Sequence, residues 1–194
     1  MRTLRLHVAV VLAVVAPLSA LVGQEEVPAA GQAAEPLPFV ADFDPARYFG
    51  KWFEVARLPT GMQPAGTLAT AEYSATDEPG RVKVTNTAFS AEGRKIAAIA
   101  GEARIAKGDP PGRLLVAFGP KLPKEPNYHV LHVDEDYQFA VVGVPDRKSL
   151  WILARKVPVP EQKLKELRAI AAKAGFDTAK LEVGQWKAAA PAAK

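Results

Sequence analysis

The chain has 194 residues, enough for one domain with extensions at its ends. Its hydrophobic share of 48% and charged share of 24% are those of a globular protein, and its net charge of +4 falls to +2 once Arg2 and Arg5 are set aside with the leader they belong to. Lysines and arginines are dispersed among acids, which excludes a nucleic-acid face, and the absence of cysteine excludes a disulfide framework, thiolate metal sites and cysteine nucleophiles.

Residues 1–23 read as a secretory signal. Arg2 and Arg5 form a basic start, residues 8–16 are an unbroken apolar run, and Ser19, Ala20 and Gly23 offer small residues for cleavage after Ala20 or Gly23. The run is shorter than the ~20 residues a spanning helix needs. Leu18-Ser19-Ala20 is similar to the start of a bacterial lipoprotein box, but Leu21 stands where the lipid-bearing cysteine would be required. The expectation is an exported protein, periplasmic or secreted, without a thioether anchor. Residues 24–38, rich in Ala, Pro, Gln and Glu, read as a linker, residues 39–187 as the folded domain, and 188–194 as a frayed tail.

From residue 52 the pattern is one of short runs with period two, at 52–58, 67–75, 81–89, 95–105, 113–118, 128–133, 139–144 and 150–155. Turn signals separate them, among them Asp77-Glu78-Pro79-Gly80, Glu92-Gly93 and Pro145-Asp146. Eight strands so spaced predict an all-β fold, a closed antiparallel barrel or a sandwich. One helix follows: Pro160 suits its first turn, Leu164, Leu167, Ile170, Ala171 and Ala174 share a face, and Gly175 ends it. That stripe is expected to pack on the outside of the strands.

Three segments carry a family resemblance. Gly50-Lys51-Trp52, within the longer stretch 43–57, resembles the first lipocalin motif; Glu135-Asp136-Tyr137 resembles the second, with Glu135 in place of threonine; Trp151-Ile152-Leu153-Ala154-Arg155 resembles the third. Together with Pro145-Asp146-Arg147 they are similar to the bacterial outer-membrane lipocalins, a branch that resembles apolipoprotein D. The resemblance implies an eight-stranded antiparallel up-and-down barrel with a C-terminal helix on its outside. Topology agrees. In such a barrel the start of the first strand, the sixth turn and the end of the eighth strand share one end, where Trp52, Asp136 and Arg155 fall. An arginine over the Trp52 face would gain ~0.5–2 kcal/mol and close the floor.

Parity then assigns the inner face. It turns inward Glu54 and Ala56; Ala69, Ala71 and Tyr73; Val82, Val84, Asn86 and Ala88; Ala97, Ile99, Gly101 and Ala103; Leu115 and Ala117; Tyr128, Val130 and His132; Phe139 and Val141; and Trp151, Leu153 and Arg155. So many small inner residues predict a cup with room for one ligand. Tyr73, Val84, Asn86, Ile99, Tyr128, Val130, His132, Phe139, Val141, Trp151 and Leu153 are the candidate ligand contacts, and Gly50, Trp52, Asp136, Tyr137 and Arg155 the structural motif. His129 and His132 are expected on opposite faces, which argues against a shared metal. The resemblance implies binding of a fatty acid or lysophospholipid, with no catalytic residue, metal or cofactor assigned. The alternatives are a lipocalin-fold enzyme using Glu54, His132 or a tyrosine, and a tetrapyrrole binder with His132 as axial ligand. Lys121, Lys124, Arg147 and Lys148, in loops at the open end, are candidates to meet anionic headgroups in a peripheral membrane contact.

Overall fold

The computed structural model describes residues 35–61, 63–105 and 107–186. The expected leader, most of the linker and the expected tail fall outside them. Within the expected linker, Leu37 is buried against the outer wall.

A short helix, α1 (Pro45–Tyr48), precedes the first strand, with Asp44 as its N-cap accepting from the Ala46 amide. Eight strands follow: β1 (Gly50–Arg57), β2 (Leu68–Ala75), β3 (Arg81–Phe89), β4 (Lys95–Ile105), β5 (Arg113–Ala117), β6 (Tyr128–Val133), β7 (Phe139–Gly143) and β8 (Leu150–Ala154). Each pairs antiparallel with its neighbour, and β1 pairs with both β8 and β2, which closes the barrel. Near the mouth β2 has diverged from β1, and a two-residue strand, β9 (Glu182–Val183), takes its place beside Ala56 and Arg57.

The helix α2 (Glu161–Lys173) packs on the outside. Leu167 and Ala171 sit in one apolar cluster with Val141, Leu150, Ile152 and Ala154. Gly175, at φ +85°, ends it in a Schellman motif: the Gly175 amide donates to Ala172 and the Phe176 amide to Ala171. The motif turns Phe176 into the outer cluster against Gly143. Arg147, expected as a free rim cation, instead donates Nε to the Ala174 carbonyl at 2.9 Å and Nη2 to that of Glu35 at 2.7 Å. It caps the helix, where a cation also complements the dipole. No helix among the described residues is long and apolar enough to cross a membrane.

A second cluster lies on the inside of the barrel, and its membership corrects several faces. On β1 a bulge between Glu54 and Ala56 turns Ala56 out and Arg57 in, opposite Trp151. Leu114 and Val116 are the inner residues of β5, not Leu115 and Ala117, since Val116 pairs with Ala103. On β6 the register shifts between Val130 and His132, so Val130 and Val133 face in while His132 pairs with Val141 on the outer side. On β7 the inner residues are Ala140 and Val142; Phe139 and Val141 lie in the outer cluster beside α2. His129, opposite Arg113, is also outward, so the two histidines share a face rather than opposing each other.

Candidate functional site

The closed end is built by the first motif and sealed by the third. Trp52 is fully buried and donates Nε1 to the Tyr48 carbonyl at 2.8 Å. Over its ring, 3.8 Å from the centroid, lies the Arg155 guanidinium. Arg155 also donates to the carbonyls of Lys51 at 2.9 Å, Arg47 at 3.0 Å and Tyr137 at 3.2 Å, and so ties β1, α1 and the β6–β7 turn together. Gly50 is needed here: its φ of +93° disfavours a side chain, and a Cβ would stand 3.4 Å from the guanidinium. Tyr137 accepts from the Asp44 amide at 2.8 Å. Asp136 does not join this network; it is exposed, and the turn is held by Asp134, which accepts from the Phe139 amide at 2.6 Å.

Above the floor stand three tyrosines, Tyr48 from α1, Tyr73 from β2 and Tyr128 from β6. The Tyr128 hydroxyl lies 3.3 Å from that of Tyr48 and 3.0 Å from that of Tyr73. Burial holds all three phenols above the ordinary tyrosine range, so they stay neutral. Trp151 stacks on Tyr128 at 6.4 Å. The three tyrosines, with Phe43 and Phe49, line a small void of about 20 Å³ in the lower half.

The upper half differs. Ala69, Ala88 and Ala97 stand in register on β2, β3 and β4, and one rung below them Ala71, Asn86 and Ile99. Ile99 faces inward and is 51% exposed, and the inner Ala69, Ala71, Asn86 and Ala88 beside it are only partly buried, so the cup is open here. Asn86 Oδ1 is buried without a hydrogen-bond partner. Facing this wall, β1 contributes two charged groups. Glu54 accepts from Gln63 Nε2 at 2.9 Å and from Arg57 Nε at 3.2 Å. Arg57, 2% exposed, also pairs with Glu182 at 2.6 Å and donates to the Pro64 carbonyl at 3.1 Å. Burial raises the Glu54 carboxyl to about 7, outweighing the downward pull of Gln63 and Arg57. Arg57 therefore anchors both the β1–β2 loop and β9. Its sequence signal was faint: a charged residue ending an apolar strand reads as surface unless the bulge is known.

Of the candidate contacts, Tyr73, Val84, Asn86, Ile99, Tyr128, Val130, Trp151 and Leu153 lie on the inner face. His132, Phe139 and Val141 lie outside it. Phe139 has the Lys163 ammonium of α2 5.7 Å from its ring, and the same lysine acts on His132. Among the described residues no group of His, Asp and Glu is arranged to hold a metal.

Residues 43–185 match the family model described as a lipocalin-like domain. The chain is a lipocalin. It is 35% identical over 143 residues to temperature-induced lipocalin-1 of Arabidopsis thaliana, covering 70% of this chain and 75% of that protein. It is 32% identical to the outer membrane lipoprotein Blc of Escherichia coli K12, over 73% of this chain and 78% of Blc. Apolipoprotein D of Macaca fascicularis is also 32% identical, over 75% and 78% of the two chains. In three dimensions this lipocalin superposes on insecticyanin of the tobacco hornworm Manduca sexta with a TM-score of 0.61 at 22% identity, over 81% and 88% of the two chains. The family supports binding of a small hydrophobic molecule.

Proposed function

We propose that this lipocalin stores or carries one elongated apolar ligand, of the fatty-acid or lysophospholipid class, in the bacterial cell envelope. The single observation that carries the reading is the half-exposed Ile99 on the inner face: the lower half of the barrel is filled by aromatic rings, whereas the upper half is lined by alanines and open. Acyl methylenes entering it gain ~0.8 kcal/mol each. Trp151, Leu153, Val84 and Ile99 supply apolar walls, and Asn86 Oδ1 awaits a donor such as a ligand hydroxyl or amide. The names of the relatives, an outer membrane lipoprotein and an apolipoprotein, support the envelope and the lipid class. No residue is assigned a catalytic role: Glu54 is engaged by Gln63 and Arg57, and His132 lies outside the barrel, which also counts against axial ligation of a tetrapyrrole in the cup.

The test is tryptophan fluorescence. Oleate or a lysophosphatidylcholine should quench it saturably, and Trp151→Ala should abolish most of that response with the far-ultraviolet circular dichroism unchanged. His132→Ala should leave the titration as it was. Protein purified without detergent should release a lipid detectable by mass spectrometry. Absence of both saturable quenching and extractable lipid would overturn the proposal.

A further inference from the structure

The barrel wall is incomplete on one flank. β4 runs eleven residues along β3, but β5 covers only residues 102–105 of its other edge, so residues 95–100 have a bare backbone side. Residues 94–100 are all exposed, including Ile96 at 58% and Ile99. Phe118, also exposed, opens the neighbouring β5–β6 loop. Gly101 lets that loop close in, since a Cβ there would collide with the Ala117 carbonyl oxygen and the Phe118 ring. Three of the four exposed large hydrophobic residues among those described thus share one flank. Around them stand Arg94, Lys95, Lys121 and Lys124, all exposed and none among the ion pairs of the described residues. The acids on the same flank are Glu92, Glu125 and Glu102, the last paired with Arg81 and Arg104.

An uncharged apolar run on a bare strand edge is a surface that proteins normally cover. Edge-to-edge pairing with a second copy is opposed by the bulge near Lys95 and Ile96, which breaks the ladder, and by the two cations at the hairpin tip. A bilayer has neither difficulty. We propose that this flank is a docking face for an anionic lipid bilayer. The four cations meet headgroup phosphates, while Ile96 and Phe118 enter the acyl boundary. The bare β4 edge stays at headgroup level, where water satisfies backbone groups that hydrocarbon would strand. Because Ile99 looks into the mouth, docking sets the opening of the cup against the membrane; only transfer of lipid across that contact rests on the function proposed above.

Vesicle flotation tests the face directly. The protein should float with phosphatidylcholine vesicles containing phosphatidylglycerol and stay behind with phosphatidylcholine alone, and salt should reverse the binding. Lys121→Glu with Lys124→Glu should lower partitioning about tenfold or more, since each cation near such a surface is worth roughly fivefold. Ile96→Ser with Phe118→Ser should lower it comparably, while quenching of Trp151 by oleate persists and reports the cup independently. With no native cysteine, Ile96→Cys takes a single environment-sensitive label that should shift to the blue on anionic vesicles, whereas one at Asp136→Cys, on the closed end, should not. Equal flotation with neutral vesicles, unchanged flotation of both double variants, or equal shifts from the two labels would overturn the proposal. So would a dimer in vesicle-free solution that dissociates on Ile96→Ser, which would assign the flank to a second copy.

Discussion

Replacing Glu54 by glutamine keeps the shape of the side chain and its place beside Gln63 and Arg57, but removes the proton equilibrium. Burial holds the folded carboxyl at about 7 against an ordinary value of 4.5. A raised acid binds its proton more tightly folded than unfolded, so its stabilising contribution is complete below pH 4.5 and is lost as pH rises through about 7. At ~1.4 kcal/mol per pH unit the loss is on the order of 3 kcal/mol, and the 10% exposure of the carboxylate side chain leaves little solvent screening to reduce it. The assay is urea unfolding of the two proteins from pH 4 to pH 9. Histidines and other acids titrate equally in both, so the difference between the two curves isolates Glu54. Glu54→Gln should gain on the parent protein between pH 5 and pH 8 by a few kcal/mol, with m unchanged. A difference that stays flat across that interval would refute the reasoning; it would mean that Arg57 fully compensates the burial and that Glu54 stays ionised in the fold.

Arg155→Ala should cost about 2–4 kcal/mol in urea unfolding, because the Trp52 face and three carbonyls lose their cation together; a cost under ~1 kcal/mol would refute its bracing role. Gly143→Ala sets a Cβ 2.5 Å from the Phe176 ring tip, so thermal melting should show a loss of ~1–3 kcal/mol as α2 is pushed off the wall. The same change made at Gly66, where φ is +75° but a Cβ meets nothing, should lose only the smaller cost of the backbone conformation.

The eight barrel strands and their order, the outer helix and the Trp52–Arg155 seal were legible in the sequence, whereas the two-residue β9 was not. The faces of β2 and β3 were legible too, because their inner positions alternate with mostly polar outer ones, and the tight β3–β4 turn carries that register onto β4, whose outer positions Ile96, Ala98 and Ala100 are apolar. The faces of β5 and β7 were not. In β7 every residue is apolar, since α2 covers the outside while the cup lies inside, so alternation carries no signal there. Bulges were the other blind spot. Val55 and Leu131 are the extra residues on β1 and β6, and each is an ordinary apolar strand residue. Nothing in composition marks the slip that brought Arg57 in and sent His132 out. The second motif misled for a different reason. Asp134, two residues before Asp136, makes the turn's hydrogen bond, although only Asp136 stands directly before the tyrosine.

The doubly engaged Arg57 has a practical corollary. Its guanidinium grips the β1–β2 loop at Pro64 and β9 at Glu182 at once, so two segments distant in sequence hang from one side chain. A spin label on the exposed Gln185 would sense any displacement of the β1–β2 loop through that shared anchor, with the inner face of the barrel left unaltered.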